Sequence, residues 1–313
     1  MIQIINRMLP IIVLLAVGKL LRQTRFIAET TVLEMKKIVV NLALPAVLFL
    51  SFLTVDLEPE YFWFLPLILA YCVVLYFLGL LFNRLLKVDG EYFPFLITGF
   101  EYGMLGVSLF GAAYGLEQIG KIAIVDLGQE TFIWFIYVAL LMHKQEGETN
   151  LGKLLKMFAT SPVIIAIIAG LGLNLIGLSE GLIETPVVGG LLSAVELIGS
   201  LTIPLILIVV GYGIQIDMGE FFYSARVILI RLLINIPAAL IINHFIVGRL
   251  LGLDAGFRAA LFTLLILPPP FILTLFMKQE DKKELHRVDN TLTLHALVTI
   301  FVFLIFYALN PQI

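Results

Sequence analysis

Two long apolar stretches are interrupted at their centres: GFEYGMLGVSLFG at residues 99–111 and LLILPPPFIL at residues 264–273. The first has four glycines around Glu101, and the second has three consecutive prolines, Pro268–Pro269–Pro270. Each proline removes an amide donor and clashes with the preceding helical turn. The carbonyls of 264–266 therefore lose their helical partners, and in a membrane they have to be buried in protein or line a wet cavity.

Composition places both stretches in a membrane protein. Of the 313 residues, 60% are hydrophobic and 14% charged, and the mean hydropathy is +1.05. A soluble domain has about a quarter of its residues charged. The net charge of −3 and the absence of a basic patch exclude a nucleic-acid partner, whereas the lipid bilayer is the expected one. The single cysteine, Cys72, excludes an intramolecular disulfide, and the four histidines have no metal-ligand spacing.

The apolar runs predict an all-α membrane protein with ten transmembrane helices. A hydrocarbon core of about 30 Å needs about 20 mostly apolar helical residues. Such runs occur at 4–21, 38–53, 63–86, 92–116, 119–142, 157–178, 187–214, 222–251, 257–277 and 291–309. A polar linker at 144–156 separates a first five-helix half, 1–143, from a second, 157–313.

Lysine and arginine favour one side of this arrangement, which predicts its orientation because basic loops stay in the cytoplasm. One side collects 16 of the 20 basic residues. These are Lys19, Arg22, Arg25, Lys36, Lys37, Arg84, Lys87, Lys144, Lys153, Lys156, Arg226, Arg231, Lys278, Lys282, Lys283 and Arg287. The bias predicts a protein of the cell membrane with both termini outside, and it leaves no Lys or Arg at mid-membrane depth.

The two halves resemble each other. NLALPAVLFLSF at 41–52 in span two matches SLTIPLILIVVG at 200–211 in span seven, and the interrupted spans four and nine occupy corresponding places. A five-span repeat necessarily has its second copy inverted across the membrane. Interrupted helices at matching repeat positions are typical of a transport site.

Several segments resemble the auxin efflux carrier family, which includes the plant PIN carriers and bacterial organic-acid permeases and is similar in fold to bile-acid sodium symporters. They are NLALPAVLF at 41–49, YGMLGVSLFGAAYG at 102–115, IVDLGQE at 124–130 and LTIPLILIVVGYGIQ at 201–215. The resemblance implies a scaffold of spans one, two, six and seven. It also implies a transport domain of spans three to five and eight to ten, in which the broken spans four and nine cross at the substrate site.

The chain departs from this family where the site is expected. Members tend to have asparagine followed by glycine in span four, where this chain has Glu101 before Gly103, and Gly106 is followed by Val-Ser without proline. The family's Asp-x-Gly-Asn in span five is Asp-Leu-Gly-Gln here, ending at Gln129.

Glu101 is the first candidate site residue, because an ionisable group at bilayer depth usually marks a transport pathway. The alternative is a structural, protonated Glu101 bonded to a freed carbonyl. For Pro268, Pro269 and Pro270, a kink that only shapes packing is the alternative to a crossover. With no basic residue expected nearby, we expect Glu101 to hold a proton or a cation such as sodium when the site is empty.

Weaker candidates lie on other spans. By resemblance, Gln129, Asn290 and Thr291 line the site, while Asn41 either lines it or forms an interhelical hydrogen bond. Asp126 and Asp289 open spans five and ten, where helix capping explains them as well as function does. His295 fits a packing role.

The expected function is secondary transport of a small solute, an organic anion such as a carboxylate or an auxin-like acid, coupled to protons or sodium. Half-helix N-termini and neutral polar groups would hold the anion. No cofactor is expected, no enzyme motif is present, and the family resemblance favours a homodimer. A membrane sensor or receptor, or a channel without coupled transport, is the alternative.

The charge bias generates a topology prediction. In a Cys72→Ala background, we expect a cysteine at Gln145 to be labelled only from the cytoplasm and a cysteine at Ser179 only from outside. The measurement is labelling of intact and permeabilised cells with an impermeant maleimide. Labelling of the Gln145 position in intact cells would contradict both the orientation and the inverted register of the halves.

Overall fold

The computed structural model describes residues 2–86, 90–146, 151–277 and 280–312, and every regular element in these ranges is a helix. In chain order they are α1 (Ile2–Gln23), α2 (Glu29–Thr54), α3 (Pro59–Leu86), α4 (Phe93–Ile97), α5 (102–114), α6 (Leu116–Gln145), α7 (Leu151–Ala159), α8 (Pro162–Leu175), α9 (Ser179–Glu184), α10 (Pro186–Gly213), α11 (Phe221–Leu250), α12 (Ala255–Ile266), α13 (Ile272–Leu275) and α14 (Lys282–Leu309). Residues 147–150 of the predicted linker, and Lys87 and Lys278 of the charge count, lie outside the described residues.

Seven helical segments in the described ranges are long and apolar enough to cross a membrane, and eight if α7 and α8, bent by 59°, form one span. The protein is therefore an all-helical, multi-pass membrane protein. The count takes α4 and α5 together as one segment. Helix α1 and the α12–α13 segment occupy the remaining two places where the sequence predicts spans, and the ten-span count stays a prediction.

Close helix packing divides the elements into two groups. Helices α1, α2, α8 and α10 pack mainly on one another, and α3, α4, α6, α11, α12 and α14 form a second set of contacts. Glycines permit the closest approaches: Gly18 lies against the main chain of Ile208, and Gly211 lies against that of Leu15. Small residues at such places let helix backbones meet in membranes, where packing replaces the hydrophobic effect as the driving force.

Two breaks interrupt the second group. Residues 98–101 separate α4 from α5, and residues 267–271, which contain the three prolines, separate α12 from α13. Gly99 has a positive φ of 72°, and the chain at Leu267 is extended. Helix α5 starts with a wide π-helical turn, Tyr102–Gly106, a feature that is often found at functional sites. Both breaks lie where the sequence predicts interrupted helices.

Two sequence-based interpretations are wrong. Asp126 and Asp289 do not cap helices: Asp126 lies seven residues after the start of the helical segment Ile119–Phe132, and Asp289 lies seven residues into α14. Polar residues occupy the first turn of α14, so its apolar run begins only at residue 291, whereas the apolar run 119–142 already contains Asp126. Arg231, which the charge pattern places in a loop, lies inside α11 and is completely buried. We expected no Lys or Arg at mid-membrane depth, whereas Arg231 lies in the interior of α11, ten residues after Phe221.

Candidate functional site

The two breaks contact each other directly through Glu101. Its backbone N–H donates to the carbonyl of Pro268 at 2.8 Å. Its carboxylate accepts from the amide of Phe271, at 2.7 Å from Oε2, and from the amide of Met104, at 3.2 Å from Oε1. Met104 lies in the first turn of α5, and Phe271 immediately precedes α13. One carboxylate thus joins the N-terminal ends of two half-helices that come from distant parts of the chain.

Glycine makes this close approach feasible. A Cβ atom on Gly99 would lie 2.8 Å from Cγ of Pro270, and the positive φ of Gly99 is itself unfavourable for other residues. A Cβ atom on Gly106 would lie 2.8 Å from Cδ1 of Leu267. At Gly103 the nearest atom, Cδ2 of Leu44, is at an ordinary 3.4 Å. Of the two predicted site glycines, Gly106 therefore lies at the crossing itself, whereas Gly103 faces α2.

The prolines act by shaping the main chain of the second break. Most of the carbonyls that lose helical partners around them accept hydrogen bonds from other groups inside the protein. The Leu264 carbonyl, predicted to be free, accepts from the amide of Leu267 at 3.2 Å in a tightened turn. The Ile266 carbonyl accepts from Oγ1 of Thr299 at 2.7 Å. The Pro268 carbonyl is the acceptor for Glu101, so the proline break supplies one of the direct links between the two interrupted segments.

Arg231 is the central residue that sequence reasoning misses. Its guanidinium donates to the carbonyls of Leu96 at 2.9 Å, Gly99 at 2.8 Å and Leu267 at 2.9 Å. These carbonyls belong to the C-terminal end of α4, the first break and the C-terminal end of α12. The guanidinium also lies over the ring of Phe100, 5.3 Å from its centroid. The signal that could have found it is an arginine in the middle of an apolar run, ILIRLLINI at 228–236.

The charges at the crossing match the helix dipoles. The C-terminal end of a helix carries a partial negative charge and the N-terminal end a partial positive charge. Arg231 is bonded to the C-terminal ends of α4 and α12, and Glu101 is bonded to the N-terminal ends of α5 and α13. No salt bridge joins the two side chains among the described residues. Main-chain amides and carbonyls balance each charge, and their hydrogen bonds are stronger in a low-dielectric interior than in water.

Gln129, a candidate site residue from the resemblance, contacts the first break. Its side-chain amide donates to the carbonyl of Phe100 and to Oδ1 of Asp126, both at 2.8 Å. Gln129 and Asp126 are each 1% exposed. Three buried oxygens at this place have no hydrogen-bond partner within the described part of the chain: Oδ2 of Asp126, Oε1 of Gln129 and the hydroxyl of Tyr102. One turn further, Glu130 accepts from the indole N–H of Trp134 at 2.9 Å.

The remaining predicted residues lie elsewhere. Asn290 accepts from the amide of Asp217 at 2.7 Å and donates to Oγ of Ser224 at 3.0 Å, and Thr291 is also 3.0 Å from Oγ of Ser224. These contacts join α14 to the start of α11 and to the loop before it. Asn41 lies on an exposed face of α2 and donates to the Lys37 carbonyl at 2.9 Å, within its own helix.

His295 is buried on α14, and neither of its ring nitrogens has a hydrogen-bond partner in the described ranges. The structure thus places His295 in the interior, and its role stays a prediction.

A cavity of about 700 Å³ reaches the crossing from one end of the molecule. Met104 and Phe271, the two residues whose amides hold Glu101, line this cavity. The ionisable residues that line it are Arg22, Glu29, Lys36, Asp217, His286 and Asp289, and Asn290 also lines it. The cavity therefore offers acidic and basic groups together with the two residues whose amides bond to Glu101.

A second cavity, of about 510 Å³, lies at the opposite end of α2 and is lined by Glu117 and Glu196. Lys36 lines the first cavity and Ser51 the second, which places them roughly 22 Å apart along α2 at 1.5 Å per residue. None of the described residues lining the second cavity belongs to either break. Of these two cavities, the one at the Lys36 end reaches the crossing.

A close contact joins two residues that line the first cavity, His286 and Asp217. Nε2 of His286 lies 2.6 Å from Oδ2 of Asp217, and the amide of Gly219 donates to Oδ1 of Asp217 at 2.7 Å. The Gly219 amide and then His286 lower the pKa of Asp217 below its ordinary value. Asp217 is therefore ionised at neutral pH, and it fixes the loop between α10 and α11 against α14.

Two helix N-termini, a carboxylate that is bonded to their amides, and a cavity lined by Met104 and Phe271 make the crossing the candidate functional site. No metal-binding group of three or more His, Cys, Asp or Glu residues occurs in the described part of the chain.

No protein-family model matches this chain, and no curated protein sequence matches it.

The close approach at Gly99 generates a stability prediction. Gly99→Ala would place a methyl group against the Pro270 ring and impose an unfavourable positive φ, so we expect a loss of about 1–3 kcal/mol in the free energy of unfolding. The measurement is thermal unfolding of purified protein in detergent. Gly172→Ala is the control, because Gly172 lies in α8 with open space where the new methyl group would stand. Equal melting temperatures for Gly99→Ala and wild type would contradict the described crossing.

Proposed function

We propose that the protein is a secondary transporter that moves a small organic anion across the cell membrane by alternating access. The observation that carries the proposal is the bridge from the Glu101 carboxylate to the amides of Met104 and Phe271, two residues that line a cavity of about 700 Å³. Half-helix N-termini at the centre of a membrane protein are binding groups for the anionic part of a substrate. Here Glu101 itself occupies them.

Occupation by Glu101 supplies a coupling rule. A carboxylate substrate needs the amides of Met104 and Phe271, and it competes with the ionised Glu101 for them. Once Glu101 takes up a proton, its charge no longer opposes the substrate, so the amides become available. Lys36 acts on Glu101 electrostatically. A negative charge on Glu101 in turn acts on Asp126 and Glu130 and adds to the cost of a second negative charge there.

Alternating access in this proposal uses the two packing groups. The crossing and the helices around it, α3–α6 and α11–α14, would move against α1, α2, α8 and α10, which the resemblance to the auxin efflux carrier family assigns to a scaffold. The cavity at the Lys36 end supports an assignment to the inward-facing state, because the basic residues at that end are predicted to lie in the cytoplasm. The second cavity marks the end from which the outward-facing state would open. A homodimer held through the scaffold helices completes the proposal.

The proposal generates a prediction for Glu101→Gln, which mimics the protonated side chain. A thermal-shift panel of small carboxylates, including lactate, benzoate and indole-3-acetate, first identifies a ligand that binds the wild-type protein. For that ligand we expect wild-type affinity to weaken by about tenfold per pH unit above the titration point of Glu101, since binding is linked to one proton. We expect the affinity of Glu101→Gln to be independent of pH over the same range.

Glu117→Gln is the matched control, because Glu117 is exposed and lines the second cavity. We expect it to keep the wild-type pH profile. An unchanged pH profile in Glu101→Gln would assign Glu101 to a structural role. In proteoliposomes, Glu101→Gln should lose gradient-driven accumulation and keep exchange, and an absence of any flux in wild-type vesicles that bind ligand would favour a sensor over a transporter.

A further inference from the structure

The three carbonyls around Arg231 form a defined group of oxygens. They belong to Leu96, Gly99 and Leu267, and each accepts from a guanidinium nitrogen at 2.8–2.9 Å. All three lie at the C-terminal ends of broken helices or within a break, where carbonyls lose their helical partners. Arg231 approaches them from α11 and is completely buried.

Such a group of oxygens has the chemistry of a cation site. In transporters, unwound main-chain carbonyls and half-helix C-terminal ends hold the coupling cation, because their dipoles present partial negative charge. A guanidinium is planar, always charged and able to donate several hydrogen bonds at once. Nε of Arg231 has no hydrogen-bond partner in the described ranges, and the hydrogen bonds of its two terminal nitrogens go to carbonyls. The main chain therefore does what a carboxylate does for an ordinary buried arginine.

We propose that the carbonyls of Leu96, Gly99 and Leu267 form a monovalent-cation site that is permanently occupied by the guanidinium of Arg231, so that the crossing requires no sodium ion. The role of the proton in coupling rests on the transport function proposed above, whereas the occupation of the site by Arg231 does not depend on that function. Within that function, the tethered cation leaves the proton on Glu101 as the coupling ion. Arg231 is a positioning residue: it fixes the C-terminal ends of α4 and α12 and with them the amides that face the cavity.

The position of Arg231 explains why a free cation would be redundant. A sodium ion between the two helix ends would neutralise their dipoles and hold them together, and it would leave whenever the ion gradient favoured release. Arg231 provides the same neutralisation through three bonds that join α11 to α4 and α12. The ring of Phe100 covers the guanidinium, and Tyr71 stacks on Phe100 with ring centroids 6.4 Å apart.

The first experiment uses the wild-type protein. Its melting temperature is measured in detergent at fixed pH and ionic strength, with sodium chloride replaced stepwise by N-methylglucamine chloride. We expect no shift between zero and about 200 mM sodium, a range chosen to reach roughly a hundredfold above a millimolar dissociation constant. A rise in melting temperature that is specific to sodium would overturn the proposal.

The second experiment empties the site. We expect Arg231→Ala to melt at a lower temperature than wild type and to recover part of the difference in millimolar guanidinium chloride or in sodium chloride, but not in N-methylglucamine chloride. Arg226→Ala is the matched control, because Arg226 lies in the same helix with an exposed side chain. It should respond to neither cation. A purely structural arginine predicts a low melting temperature that no small cation restores, and that result in folded Arg231→Ala would also overturn the proposal.

Arg231→Lys covers the case in which Arg231→Ala cannot be purified in folded form. A single ammonium cannot span three carbonyls, so guanidinium should raise the melting temperature of Arg231→Lys while that of the wild type stays unchanged. Lack of that rise counts against the proposal.

All these measurements report cation binding without flux, so a failure of the transport proposal would appear in proteoliposomes and leave the melting results as they are.

Discussion

The need to satisfy main-chain groups at two helix breaks controls the centre of this protein. Each break releases carbonyls on one side and amides on the other, and in a membrane interior no water replaces the lost partners. The fold meets the need by making the two breaks cross, so that one carboxylate, from Glu101, serves both sets of amides and one guanidinium, from Arg231, serves both sets of carbonyls. The glycines, the prolines and the buried polar residues of α6 and α14 are arranged around that exchange.

Occupation of the crossing by the protein's own charges has a consequence for selectivity. A solute that enters the cavity meets amides that are already bonded, so it gains only the difference between its own interaction and that of Glu101. In the proposed function, binding would therefore depend on the charge state of Glu101 as well as on the shape of the cavity. Such a dependence links solute binding to proton uptake, which a coupled carrier requires.

The sequence predicts the two helix breaks but not the side chains that bond to their main-chain groups, and the reason is physical. Proline and glycine act on their own backbone, so their effects at 99–111 and 264–273 are local and visible in the sequence. The partner of a freed carbonyl is chosen by tertiary packing, and Arg231 lies 36 residues before Leu267 in the chain. The positive-inside rule treats every basic residue between apolar runs alike, so it places Arg231 in a loop. Asp289 is likewise placed at a helix start, since its apolar run begins at residue 291 and the helix begins at Lys282.

The same bonds decide which parts can move together. Arg231 joins α11 to α4 and α12, while the amide of Glu101 joins the first break to the second. Any rearrangement that separated these elements would leave a buried charge without partners, which costs several kcal/mol. The helices of the crossing therefore move as one body. The contacts that can change at low cost are those at the boundary with α1, α2 and α10, where cavities lie at both ends and apolar side chains meet through packing. In the proposed transport function, a rocking motion at this boundary would alter access to Met104 and Phe271 and leave the hydrogen bonds of the crossing in place.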